Sequence, residues 1–454
     1  MTPDVRPHPC SDAGVGCGGT CAKRCTGGQA CWGHADCARG YCLNNVCVGP
    51  TGTGADGDVS FTQSVNMNAH DRISGRSCPQ GGDGVGYSVM ALTSTTATLG
   101  TSPAAGCLRA GDEVLLIDLQ AERNYGAHKV GIFETLRVAS IAGTVVTFTV
   151  AKKGTYGPSP GKTRDKERIW LQRIPNYRNA NIQKGAYLRA RPWNGIGGGV
   201  LFFRASGTVN VFGTITMSAR GYHGGPSPTA PKQTGIQAES TGRVGGQWTS
   251  ANGSGGGGGA GDLRGIAYGA GGGGGGHSVA GKTAVMRGTM LGGGQGGLVL
   301  QNPNMTRLFL GHGGGSGGND DDLTSSPPGG YGGNGGGIVV VVGNKVAVST
   351  SGKITSAGQN GQGDPVGVYC PSSPSTTSCW DWSGPGGGGA GGSIIIAGGT
   401  LVLRTNRVAA AGGVGGSGGH YVGGAGSPGA IGIRSTTGSS GTTQPTAITL
   451  LAIP

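Results

Sequence analysis

Charge and aromatic rings are scarce in this chain of 454 residues: 12 % are charged and 5 % aromatic. Ordinary soluble domains carry about 25 % charged residues, so the balance argues against a conventional globular enzyme. Long apolar runs are also missing. No stretch of eighteen apolar residues occurs, which excludes a transmembrane helix of the usual kind. The residues before Cys10 lack the apolar core of a secretory leader, so either the leader has been removed or the chain is part of a longer one. Helical periodicity is absent throughout, and no HExxH stretch offers a metalloprotease site.

Glycine is what the chain has in excess, with 103 residues, of which 28 fall in 1–196 and 75 in 197–454. Glycine at that density without a period ordinarily means disorder. Three copies of one plan argue otherwise. Residues 197–225, 335–363 and 391–419 each pass from glycine into about four apolar residues (200–203, 338–342, 394–396), break, continue as an alternating strand, and return to glycine. Each copy is too thinly apolar to bury a core alone and must stack on its neighbours. The expected fold is all-β: a disulfide-rich module over 1–49, a β-strand domain over 50–192, and a glycine-rich β-repeat region of solenoid or sandwich type over 193–454. In the β-strand domain, 111–120 reads as a turn feeding a buried strand, and 136–141 with 145–150 as a hairpin. Tracts such as 255–259 and 271–276 can order only through the backbone. The polyglycine relative of the polyproline II helix, with three residues per turn, is the conformation expected of them.

Twelve cysteines decide the compartment. Cys10, Cys17, Cys21, Cys25, Cys31, Cys37, Cys42 and Cys47 crowd a segment almost without apolar residues, where disulfides must replace a core. CxxC pairs are absent and His34 is the lone histidine among these cysteines, which disfavours zinc. Eight cysteines allow 105 pairings. Cys78 with Cys107 and Cys370 with Cys379 are further expected pairs. Oxidised cysteines imply an extracellular or cell-surface location.

The formal net charge is +13, and 120–191 holds fourteen Lys or Arg against four acidic residues. That excess favours anionic polysaccharide or cell-envelope glycans without specific nucleic-acid recognition, although the mixed signs of 162–168 fit a solvated loop equally. Asp320, Asp321 and Asp322 form the densest acidic cluster. Carboxylates on a loop can gather Ca²⁺, but three consecutive aspartates diverge, and a solvated acidic loop is the plainer reading. No other cofactor is expected. His223, His277, His312 and His420 all lie among glycines and read as exposed loop tips, with a metal or pH-sensitive cluster as the alternative. Trp380 and Trp382, with Tyr369 beside them, occupy the loop that a Cys370–Cys379 bridge would close. They could stack on sugar rings or cover the glycines beneath. Trp193 is expected at the junction with the first repeat.

The succession LRAGDEVLLIDLQ, YGAHKVGIFETLRVASIAGTVVTF, LQRIPNYRNANI and RPWNGIGGGVLFFRASGTVNVFGTI, followed by the glycine tracts, resembles bacterial extracellular glycine-rich surface proteins. These include the adventurous gliding motility proteins of myxobacteria. The resemblance spans about 108–434 and implies a place on the cell surface, with no catalytic residue. The expected function is therefore a non-catalytic structural or adhesive component of the bacterial surface, linked to attachment or gliding and able to self-associate into fibres. Two alternatives stay open: a carbohydrate-active parallel β-helix enzyme, disfavoured because 197–225 and 391–419 contain no Asp or Glu, and a phage-like receptor-binding adhesin acting through loops such as 226–246 and 371–378.

Overall fold

In the computed structural model the described residues are 41–43, 46–48, 51–121, 129–157, 167–242, 246–251, 253–261, 269–286, 292–320, 328–363, 383–418 and 421–451. Among them the protein is all-β, without an α-helix, and no helix is long and apolar enough to cross a membrane.

A closed antiparallel barrel is formed by Gly86–Leu92, Thr96–Leu99, Glu113–Gln120, Phe133–Ala142, Val145–Phe148 and Arg168–Ile174. The expected buried strand and hairpin are both present here. Side chains alternating inward, among them Val89, Leu99, Val114, Leu116, Val138, Phe148 and Leu171, fill the barrel. The expected Cys78–Cys107 disulfide closes one end, with an S–S distance of 2.05 Å.

The recurring apolar strands stack in parallel. Val59–Phe61, Ala180–Ile182, Val200–Val211, Ile338–Val348, Ser393–Ala409 and Ala430–Gln444 follow one another across the sheet. A second limb adds Val65–Asn66, Tyr187–Arg189, Thr214–Thr216 and Lys353–Thr355, ending on Val408 and Ala409. Leu201, Phe203, Val339, Val341, Ile394 and Ile396 pack between the two limbs. Their neighbours Val200, Phe202, Ile338, Val340, Val342 and Ile395 face the other way, onto barrel residues Leu115, Ile117 and Leu119 and onto Leu308 and Leu310. Burial on both faces explains the uninterrupted apolar runs, each such side chain contributing about 1.5–3 kcal/mol.

The sheet does not respect the boundary expected at 192/193. Its first strands, Val59–Phe61 and Val65–Asn66, precede the barrel, and Ala180–Ile182 and Tyr187–Arg189 follow it. These strands are two or three residues long and have no run of glycines ahead of them, so they lack the signature of the longer copies. The barrel is an insertion between the first and second levels of the stack. Arg173 binds it in place: its guanidinium meets Asp56 at 2.6 Å and Asp112 at 3.1 Å, while Arg204 meets Glu113 at 3.0 Å.

Beyond the strands lie the glycine tracts, joined by backbone hydrogen bonds with a period of three. Along 311–319, Gly311, Gly314 and Gly317 donate to Gly336, Gly333 and Gly330. Gly315 and Gly318 donate to Gly273 and Ala270, and Gly313, Ser316 and Asn319 donate to Glu239, Ile236 and Gln233. The same tract accepts from Tyr222 and Gly225, from Gly384, Gly387 and Ala390, and from Gly256 and Gly259. It is thus ringed by six segments. Each ring member is also bonded to the next, as in Gly332 to Gly225, Gly330 to Gly384, Gly272 to Pro385, Gly273 to Gly257, Gly235 to Gly259 and Glu239 to His223. Residues 270–276 and 384–392 are surrounded in the same way. Side chains are excluded by this spacing: a Cβ on Gly315 would overlap the carbonyl oxygen of Gly257, and one on Gly332 that of Gly314.

Candidate binding face and buried polar junction

The tracts run from the apolar sheet to a far end, where the chain turns. Residues 226–234 turn there, and the described tract ends at 261, 269, 286, 292, 320, 328, 363, 383, 418 and 421 lie at the same end. Gln233 shapes that turn, its side-chain oxygen accepting the amides of Thr229 and Ala230 at 2.8 Å each. Asn319 closes the central tract: its amide group donates to Ala230 O at 2.7 Å and Pro228 O at 3.2 Å and accepts from Gly329 N at 2.7 Å. Ser383 Oγ accepts the Asp320 amide at 3.4 Å, and Lys232 N donates to Asp320 O at 2.6 Å. Val285–Met286 pairs with Tyr421–Val422. Connections distant in sequence therefore meet, and Tyr331, 43 % exposed, lies close by.

This placement tests several expectations. Asp320 is fully buried at the end of the central tract, not solvated. Among the described residues no group of three metal-ligating side chains occurs. Asp321, Asp322, Tyr369, Cys370, Cys379, Trp380, Trp382 and His420 lie outside the described residues, as do Cys10, Cys17, Cys21, Cys25, Cys31 and Cys37. Cys42 and Cys47 are partners in the register of a short antiparallel pair. Trp193 is buried at the junction, as expected.

At the opposite end, where tracts meet sheet and barrel, a polar network was not foreseen. Glu239 Oε2 accepts from Trp193 Nε1 at 2.9 Å and from His223 N at 3.0 Å, and pairs with His223 Nδ1 at 2.9 Å; Gln120 Nε2 reaches Oε1 at 3.3 Å. Burial pushes the Glu239 carboxyl up, but its hydrogen bonds, chiefly from His223, win and hold it below its usual value. His223 is raised in return by that bond. Tyr222 donates to Leu119 O and packs against Trp193 and His312, with centroids 5.6 and 5.2 Å away.

His277 and His312 overturn the loop-tip reading. They are 2 % and 0 % exposed, with ring centroids 6.3 Å apart, and desolvation lowers them to about 4 and about 3. Each sits where a tract joins the apolar sheet, so its ring serves as a core group, a role that single histidines in glycine do not advertise.

No protein-family model matches this chain. No curated protein matches it either. Among solved structures it is similar to a tailspike of Acinetobacter baumannii bacteriophage AP22, described in complex with capsular saccharide (14 % identity, 35 % of this chain, 28 % of that one, TM-score 0.17). The tailspikes of Pseudomonas phages LKA1 (14 %, 36 % and 27 %, 0.17) and phi297 (11 %, 83 % and 38 %, 0.16) are also similar. The matched regions span about a quarter to two fifths of those chains. Superposition this slight carries no functional argument.

Two further features bear on chemistry. Asp118, on one barrel strand, and Glu167, just ahead of its neighbour Arg168–Ile174, interact with each other, with Lys129 as nearby cation, and burial raises both, Glu167 to about 7. They are 0 % and 2 % exposed, closed off from a polymer. Residues 276–283, GHSVAGKT, formally spell a phosphate-binding loop. No helix follows among the described residues, and the amides of Gly276, Gly281 and Lys282 are committed to Ser254, Gly297 and Ala425. The match is accidental.

Proposed function

We propose that this chain is a non-catalytic, extracellular adhesive protein of the bacterial surface, whose glycine tracts form a polyglycine II-type bundle that holds a set of loops rigidly at one end. The observation that carries this reading is the convergence of connections distant in sequence at the far end of a lattice with no room for side chains. A backbone-only lattice leaves the loops free to vary, the arrangement of a recognition face on a fixed scaffold. The excess positive charge favours anionic polysaccharide or envelope glycans as the partner. Receptor binding of the phage-adhesin kind through the same loops is the second reading. Disulfides such as Cys78–Cys107 support an oxidising location. The family resemblance supports attachment or gliding as the setting.

The test is binding of the secreted, oxidised protein to purified capsular and lipopolysaccharide glycans, with 226–234 replaced by a glycine-serine loop of equal length and, separately, with Trp380→Ala and Trp382→Ala. Loss of glycan retention with unchanged thermal unfolding is the expected result. Unaltered retention in both variants would move the binding face elsewhere, and glycan cleavage would revive the hydrolase reading.

A further inference from the structure

We propose that His277 and His312 form a two-coordinate site for a soft monovalent cation with a closed d shell, copper(I) in particular. His312 Nδ1 lies 2.7 Å from Gly276 O, a group that can only accept, so Nδ1 carries the proton and Nε2 a lone pair. His277 Nε2 lies 3.4 Å from Ser393 Oγ, whose own proton is directed to Phe309 O at 2.9 Å, so Nε2 of His277 donates and Nδ1 keeps the lone pair. Those two nitrogens, His277 Nδ1 and His312 Nε2, are buried and have no hydrogen-bond partner among the described residues. A buried acceptor left unpaired costs about 1–3 kcal/mol, and this pair carries two. Histidines that bind metals are typically oriented in this manner, with the second ring nitrogen donating to a backbone carbonyl or other acceptor.

The dimensions suit two ligands in a line. Two metal–imidazole bonds of about 2 Å each span about 4 Å, and the ring centroids are 6.3 Å apart with the planes inclined by 53°, so one ion is shared once both unpaired nitrogens turn into the gap between the rings. No carboxylate lies in the pair, and Tyr222, Phe309 and the sheet surround it with apolar surface. Such a pocket disfavours hard ions that need many oxygens and suits a cation satisfied by two nitrogens. Both ligating nitrogens are already unprotonated, so binding at neutral pH displaces no proton.

The experiment is anaerobic titration of the full oxidised chain with copper(I) against a colorimetric chelator, free thiols being blocked beforehand, followed by X-ray absorption of the loaded protein. The expected result is one equivalent retained against the chelator, with two nitrogen scatterers at about 2 Å, falling to none in His312→Phe and in His277→Phe. No retention, sulfur-only scattering, or equal retention in a variant that keeps the native circular dichroism overturns the proposal. If both variants fail to fold, the absorption spectrum of the unmutated protein decides.

Discussion

The parallel stack and the glycine bundle are held by opposite means. In the stack, Leu201, Phe203, Val339 and Ile394 interlock, and order resides in side chains with a period of two. In the bundle there is nothing to interlock, and order resides in amide-to-carbonyl bonds with a period of three. The energetics differ accordingly. A backbone hydrogen bond contributes about 0.5–1.5 kcal/mol net, whereas fixing one residue's backbone costs about 1–2 kcal/mol, with glycine at the upper end. A tract donating about one bond per residue roughly breaks even. The bundle therefore depends on the stack, which fixes where each tract begins. The stack, at about 1.5–3 kcal/mol per buried aliphatic side chain, has stability to spare.

The strongest way to break this comparison is to place a side chain where none fits. Gly315→Val should cost more than about 4 kcal/mol, at the exceptional end for single substitutions, because the added atoms meet the Gly257 carbonyl on a ring closed by six neighbours. Chemical denaturation would reveal it, and a loss below about 1 kcal/mol would mean the lattice is loose. In the stack, truncation should be the damaging change. Phe203→Ala should cost about 3–5 kcal/mol, and the same measurement on Val339→Ala should fall below it in proportion to the volume removed.

Acid and alkali should sharpen the comparison further. His277 and His312 have folded values lowered to about 4 and about 3. Their contribution is present above about pH 6.5, the unfolded value, and is lost as pH falls through 4 to 3. Glu167 is raised to about 7 from 4.5. Its contribution is present below 4.5 and lost as pH rises through 7. Thermal midpoints should therefore pass through a maximum between the two limbs, with the acid limb reduced in a folded His277→Phe variant and the alkaline limb in Glu167→Gln. Identical limbs in these variants would contradict the assignments. The smallest effect should come from the far end. Gln233→Ala loosens one loop and should change stability by about 1 kcal/mol or less, while altering glycan retention if that loop touches the ligand.

The stack was legible where it was richest in β-branched residues. The runs at 200–203, 338–342 and 394–396 form the shared sheet, and Val200 pairs with Ile338 as alignment of the glycine lead-ins implies. The third copy is one residue out: the lead-ins align Ile338 with Ile394, but Val339 is the partner of Ile394. One residue of slip exchanges the two faces, and burial decided the matter by placing Val339 and Ile394 in the same core. Ala430–Gln444 was missed because its Ser, Thr and Gly content reads as a linker, although it pairs along Ser393–Ala409. Glu239, His277 and His312 were illegible as a junction because glycine on either side gives a residue no address. Which tract lies beside which is set by the strands that launch them.

Amide hydrogen exchange across 311–319 and 384–392 tests the central claim most directly. Order in these tracts predicts slowed exchange at Gly314, Gly315, Gly387 and Gly389, approaching that of Val340 in the sheet and lost together with it in Gly315→Val. Exchange at the unfolded rate in these glycines, with the sheet still protected, would contradict the lattice and leave the far-end loops without a scaffold.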